Sequence, residues 1–98
     1  FEDINKLKPF GAGNPNPLFL IEKIKIKKAK ILKNKHISNI FITRNGSSIQ
    51  GISFNSIRES IGKYLLNYKR EINVIGYLSE NFWNNKKTLQ LVVRDLIV

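Results

Sequence analysis

Acid–base, nucleophilic or metal-assisted catalysis needs particular side chains at close spacing, and this chain has few of them. It holds one histidine, His36, and no cysteine. Its acids are Glu2, Asp3, Glu22, Glu59, Glu71, Glu80 and Asp95, and only the first two are adjacent. Two-metal phosphodiester hydrolysis requires several carboxylates or histidines converging on closely spaced ions, and no segment has that density. A P-loop, a Gly-x-Ser-x-Gly elbow and a His-Glu-x-x-His helix are all missing. The fragment is therefore not expected to catalyse a reaction alone, and no residue is assigned as catalytic or as a metal ligand.

The chemistry that is abundant is positive charge. Seventeen basic residues face seven acidic ones, a net charge of +10, which favours a polyanionic partner because each neutralised phosphate releases counterions. Lys23, Lys25, Lys27, Lys28, Lys30, Lys33 and Lys35 fall in one stretch without an acid, whereas a merely solvated face intersperses both signs. The frequent Ile, Lys and Asn also fit an AT-rich genome, so the clustering carries more weight than the total. Aromatic residues accompany the charge: Phe41, Phe54, Phe82 and Trp83, the last two followed by Lys86 and Lys87. A basic groove with interleaved aromatic platforms is what single-stranded nucleic acid requires.

These residues have to be positioned by strands. Residues 18–32 alternate, with Ile24 and Ile26 on one side and Lys23, Lys25 and Lys27 on the other. The phase slips at Lys27-Lys28, which predicts a β-bulge that bends a long strand, with Ala29 and Ile31 then taking the apolar side. Lys33-Asn34-Lys35 reads as a turn. His36–Thr43 and Ser48–Phe54 read as strands joined at Arg44-Asn45-Gly46, where Asn-Gly suits a type I′ turn. Ser56 to Glu59 has the form of a capping box, opening a helix whose stripe is Ile57, Ile61, Leu65 and Tyr68, with Tyr64 alongside. A fourth strand, Glu71–Leu78, buries Ile72, Val74 and Leu78, with Gly76 at a crowded corner. Ser79–Asn85 reads as a polar loop, and Lys87–Val98 as a fifth strand with Leu89, Leu91 and Val93 on one face.

Three strands, a helix and two strands is the order of an OB-fold, a five-stranded Greek-key barrel that is mainly β. A small α+β sandwich is the alternative. OB-folds bind through the face of their second and third strands and the loops joining strands one to two and four to five. The candidate nucleic-acid-binding residues are accordingly Lys28, Lys30, Lys33, Lys35, His36, Arg44, Phe82, Trp83, Lys86, Lys87 and Arg94. His36 donates either to a phosphate or to the turn backbone. Trp83 either stacks a base or caps the barrel mouth. Phe54 shares a face with Ile52 and reads as core, while Phe41 fits either role.

Ninety-eight residues make one domain with a modest core. The chain starts at Phe1 without methionine, as expected of a piece of a longer protein, and shows no signal peptide or membrane-length apolar run. Absence of cysteine excludes a disulfide framework and fits a cytosolic setting. Three prolines and two glycines between Pro9 and Pro17 exclude a helix or central strand there and predict a rigid connector around Phe10. Residues 1–17 are thus a leading segment and 18–98 the barrel domain.

Pro9-Phe10-Gly11-Ala12-Gly13-Asn14-Pro15-Asn16-Pro17, with Phe19 following, resembles the stretch that opens the last domain of bacterial RecJ exonucleases. Further ordered matches are Lys35-His36, Ile52-Ser53-Phe54-Asn55, Asn81-Phe82-Trp83-Asn84, Leu89-Gln90 and Asp95. One departure is Asn84-Asn85, where the family often has glycine; Asn tolerates left-handed φ, so a turn is still expected. The resemblance implies the C-terminal OB domain of a single-strand-specific 5′→3′ DNA exonuclease of the bacterial cytoplasm, acting in repair and recombination. It implies Mn2+ or Mg2+ held by a preceding catalytic domain, whose Asp-His-His motif does not occur here, and no cofactor in this fragment. Expected partners are single-stranded DNA and that catalytic domain, packed through Phe10, Pro15, Pro17 and Phe19, with a single-stranded-DNA-binding protein left open and no membrane. The rival functions are a docking module that closes the nuclease ring without touching DNA, and an RNA-binding OB module.

Overall fold

Strand formation follows the apolar alternation, with backbone irregularities deciding which way each strand bends. In the computed structural model, residues 4–6 and 17–98 are described, with positions 4–6, 81 and 83 described through their backbone only. The strands are β1 (Ile4–Lys6), β2 (Phe19–Leu32), β3 (His36–Ile42), β4 (Ser48–Ser53), β5 (Ile72–Trp83) and β6 (Lys86–Ile97), and the helix α1 (Ser60–Asn67) lies between β4 and β5. Antiparallel pairing joins β2 to β3 and β3 to β4, and β4 runs parallel to β6 at Gly51 and Ile52. Antiparallel β5–β6 and β5–β2 ladders close the barrel. This closed five-stranded barrel with one helix between its third and fourth strands is the expected OB-fold, and its closure excludes the open α+β sandwich. The short β1, within the leading segment, was not foreseen; it pairs with Phe19–Ile21.

Two irregularities curl β2. Its ladder with β3 slips between Ile26 and Lys28, as the lysine phase slip predicts. Its ladder with β5 slips between Ile21 and Ile24, where Lys23 has φ 57° and its N–H donates to Asn73 Oδ1 at 2.9 Å. This second bulge lets Ile21 and Ile24, three apart, both point inward and become fully buried. Ala29 and Ile31 lie opposite the inward Asn39 and Ile37 but remain exposed, because β2 parts from β5 after Ile24 and nothing covers its end.

The core joins Ile21, Ile24, Ile37, Phe41, Ile49, Leu65, Ile72, Val74, Leu91 and Val93. Each such aliphatic or aromatic side chain contributes about 1.5–3 kcal/mol by leaving water. Phe41 is therefore core, and it fills the space over Gly51, where a Cβ would lie 2.4 Å from its ring. At Gly76 a Cβ would meet the Val92 carbonyl oxygen at 2.2 Å, which is the crowded corner expected there. Asn39 is the buried polar tie of the barrel: its Nδ2 donates to Lys28 O in the bulge at 3.2 Å and to Leu65 O of α1 at 2.9 Å.

Several local expectations need correction. Ser56 and Glu59 do not form a capping box. Glu59 is the N-cap and makes no side-chain cap bond, while buried Ser56 donates its hydroxyl to Ser53 O at 3.0 Å. The turn from Ser56 to Glu59 delays the helix to Ser60. Asn45-Gly46 is not a type I′ turn, since only Gly46 has positive φ (89°). Thr43 O instead accepts from Gly46 N–H, and Asn45 Oδ1 from Ser47 N–H and the Thr43 hydroxyl, giving a three-residue loop that ends in a left-handed glycine. The type I′ geometry lies at Lys33-Asn34, φ 52° and 57°, with Lys35 N–H on Leu32 O.

The segment Ser79–Asn85 is not a loop either. β5 continues to Trp83 and turns only at Asn84-Asn85, both left-handed, so this Asn pair does serve as the turn that glycine would. The stretch reads as polar because it forms a hairpin arm of β5 and β6 that projects beyond the core and has no face to bury. Leu89, expected on the apolar face with Leu91 and Val93, is consequently exposed on the arm, while Leu91, Val92 and Val93 are buried.

Candidate nucleic-acid interface

Burial alternation fixes which face of the sheet is available. Ile37, Asn39 and Phe41 of β3 and Ile49, Gly51 and Ser53 of β4 point inward. His36, Ser38, Ile40 and Ile42, with Gln50 and Ile52, therefore form the outer face. The register sets Lys28 beside Ile40, Lys30 beside Ser38, and Leu32 beside His36. Lys28 and Lys30 thus flank the outer face of β3, and Lys33 and Lys35 continue the charge around the turn. All four are exposed, and none is in an ion pair among the described residues.

His36 is fixed rather than poised to donate from both nitrogens. Its Nδ1 accepts the Asn55 N–H at 2.9 Å, so the turn backbone is its partner and it is the acceptor of that bond. Its ring meets Phe54 edge-on, centroids 5.4 Å apart. Phe54 is 50% exposed, which corrects its reading as core: it sits just past the end of β4, on the outward side shared with Ile52. Arg94 is exposed and lines a groove of about 360 Å³ together with Phe54, Glu59, Ile61, Tyr77 and Val92. The structure thus brings His36, Phe54 and Arg94 into one neighbourhood. Sequence reading takes Phe54 as core because it takes the apolar Ile52 face of β4 as the inward one, whereas Ile49, Gly51 and Ser53 are the buried set.

The other candidates lie apart. Arg44, at the far end of β3 from His36, is roughly 25 Å away by strand rise. It grips Glu71 with two bonds, Nε–Oε2 at 3.1 Å and Nη2–Oε1 at 3.3 Å. Those bonds hold the Glu71 carboxyl below the usual carboxylate range, helped by the charges of Arg44, Lys25 and Lys23. Lys23, Lys25, Arg44 and Glu71 together line a second depression of about 250 Å³. On the arm, Phe82 is 70% exposed, Lys86 is exposed, and Lys87 pairs with Glu80 at 3.1 Å. The side chain of Trp83 lies outside the described residues.

Of the residues expected to pack against a neighbouring domain, Phe10 and Pro15 also lie outside the described residues, while Pro17 and Phe19 are half-buried where β2 begins. Among the described residues, no three of His, Cys, Asp or Glu converge on one point. The described residues thus present no cluster that would hold the divalent ion, which the resemblance assigns to a preceding catalytic domain. Nor is any helix among the described residues long and apolar enough to cross a membrane.

Residues 1–95 match the family model described as the RecJ OB domain. The chain belongs to the RecJ OB domain family. It is 32% identical over 99 residues to the single-stranded-DNA-specific exonuclease RecJ of Bacillus subtilis (strain 168), covering 98% of this chain and 12% of that protein. A crystal structure of RecJ in complex with Mg2+ from Thermus thermophilus superposes with a TM-score of 0.60 at 28% identity, over 94% of this chain and 13% of that one. This RecJ OB domain therefore spans about an eighth of each relative, and the family resemblance read from Pro9–Phe19 and the downstream motifs is borne out.

Proposed function

We propose that this RecJ OB domain holds single-stranded DNA for a RecJ-type exonuclease, chiefly through phosphates and without sequence readout. The observation that carries the reading is the acid-free row of outward lysines, Lys28, Lys30, Lys33 and Lys35, beside the outer face of β3, the face OB-folds use for single strands. Phe82 and Lys86 on the hairpin arm add an exposed ring and a charge, and Arg44 and Lys87 contribute through positions they share with Glu71 and Glu80. The hydrolytic step, 5′→3′ and dependent on Mn2+ or Mg2+, belongs to a catalytic domain elsewhere in the longer protein. Its setting is DNA repair and recombination in the bacterial cytoplasm, where a single-stranded-DNA-binding protein would share the substrate.

The test is the salt dependence of oligo-dT binding by the chain and by a variant with Lys28, Lys30, Lys33 and Lys35 all changed to Gln. Each lost phosphate contact lowers the log–log salt slope by ~0.7 on single strands, so the slope should fall by about 3. An unchanged slope and affinity would overturn the reading. That outcome would favour docking, for which the arm offers one supporting feature: Phe82 and Leu89 are both largely exposed and share a side of the hairpin. Comparing oligo-dT with oligo-U decides between DNA and RNA.

A further inference from the structure

We infer that the groove between Phe54 and Arg94 is a nucleobase subsite, in which one unpaired base stacks on the Phe54 ring. This deepens the proposed function and rests on it.

The Phe54 ring is exposed but held. The residue before it, Ser53, has its carbonyl oxygen bonded by the Ser56 hydroxyl, and the residue after it, Asn55, donates its N–H to His36. Asn55 takes φ 55°, which turns the chain sharply at that point. The Ile57 N–H then donates to Lys35 O at 3.2 Å, tying this corner to the lysine turn. The edge contact with His36 restrains the ring itself. A half-exposed phenyl fixed on both sides loses little freedom when a base stacks on it, which is what a preorganised platform requires.

Arg94 is aimed by a backbone irregularity. The β5–β6 register pairs Gly76 with Val93 and Ile75 with Asp95, leaving Arg94 as the extra residue of a bulge. Bulges redirect side chains, and a guanidinium plane stacks on a base or bonds a phosphate. Charge separates the groove from the surfaces around it. Arg94 and Glu59 offset each other within it, whereas Lys23, Lys25 and Arg44 outnumber Glu71 in the other depression. A phosphate gains little in the first, so a neutral planar group is the better occupant. The groove also continues the lysine face: Leu32 pairs with His36, and His36 touches Phe54. A strand crossing from Lys28 and Lys30 towards Arg94 would pass over Phe54.

The experiment compares oligo-dT with a length-matched strand of abasic tetrahydrofuran residues, binding each to the wild-type chain and to Phe54→Ala, Phe54→Trp and Arg94→Gln. One stacked base corresponds to about a 5- to 150-fold change in affinity. Phe54→Ala should lose that much on oligo-dT and nothing on the abasic strand, and Phe54→Trp should restore it. Arg94→Gln should weaken oligo-dT binding while leaving its log–log salt slope unchanged, because the groove takes a base and not a phosphate; a fall of ~0.7, one phosphate contact, would overturn that assignment. Wild-type affinity of Phe54→Ala for oligo-dT, or equal losses on both strands, would overturn the subsite. If binding then still depends on the four lysines, only the subsite falls; if the wild-type chain shows no salt-sensitive binding at all, the proposed function falls with it.

Discussion

Replacing Asn39 tests whether one amide ties the bend of β2 to the helix. Asn39 is 1% exposed and its Nδ2 gives two bonds, to Lys28 O in the bulge and to Leu65 O at the helix C-terminal end. Both neighbours are carbonyls, so the amide can only sit with its nitrogen towards them. Its Oδ1 has no partner among the described residues. Asn39→Leu therefore strands one buried acceptor, Leu65 O, and one part-buried acceptor, Lys28 O, while removing the unpartnered Oδ1, a net cost of about 1–3 kcal/mol. That is a large share of the roughly 5–15 kcal/mol by which a domain of this size is stable.

Asn39→Asp sharpens the test through pH. An ionised carboxylate would face two carbonyl oxygens with nothing to donate, so the variant should be less stable at pH 7 than Asn39→Leu. Burial and those carbonyls raise the folded-state pKa of the new acid above its unfolded value of about 3.9. Unfolding then releases a proton, so stability relative to wild type falls as pH rises from the unfolded towards the folded pKa, and recovers on acidification. Urea unfolding of wild type and both variants at neutral and acidic pH measures this. A Leu variant within 0.5 kcal/mol of wild type (about the range of an ordinary surface substitution), or an Asp variant with no extra pH dependence, would refute the tie.

Two further perturbations follow from the same backbone and charge reasoning. Lys33→Gly removes a side chain from a left-handed residue, so it should raise stability by about 0.5–1 kcal/mol in urea unfolding while lowering the oligo-dT salt slope by ~0.7. Arg44→Gln removes the main cause of the lowered Glu71 pKa, and an NMR titration of that carboxyl should show its midpoint rise. Because the folded-state value is depressed, the stability this pair supplies is present above the unfolded carboxylate range and fades as pH falls through the folded value, a loss the variant should not show.

The sequence made most of the barrel legible, for identifiable reasons. Alternation located all five barrel strands, the double lysine located the bulge after Ile26, and Gly76 marked a true close approach. What escaped was set by partners distant in sequence. The Lys23 bulge depends on Asn73, fifty residues away, and could be suspected only from Ile21 and Ile24 both being apolar at a spacing of three. The hairpin arm looked like a loop because pairing without burial leaves no apolar period. In the interface, the lysine row was plain as composition, but its neighbours were not. Phe54 looked like core from its phase with Ile52, and only closure of the barrel sets it near Arg94, forty residues on.

The left-handed residues bear on whether the lysines are functional or a residue of genome composition. Among the described residues, six non-glycine positions have positive φ: Lys23, Lys33, Asn34, Asn55, Asn84 and Asn85. Asparagine reaches that region at little cost because its short side chain bonds locally, so the four asparagines are the turn chemistry an Asn-rich sequence affords. Lysine has no such compensation and is disfavoured there by about 1 kcal/mol. A compositional bias supplies lysine most readily where lysine costs nothing. At position 33 it stands at a strained turn, beside an Asn that shows the alternative was at hand, and within the acid-free row flanking the outer face of β3. Strain retained at a surface position is better explained by what the charge contacts than by what the codon table offers. The paired outcome for Lys33→Gly, a firmer barrel that holds oligo-dT less steeply in salt, would separate the two explanations at one residue.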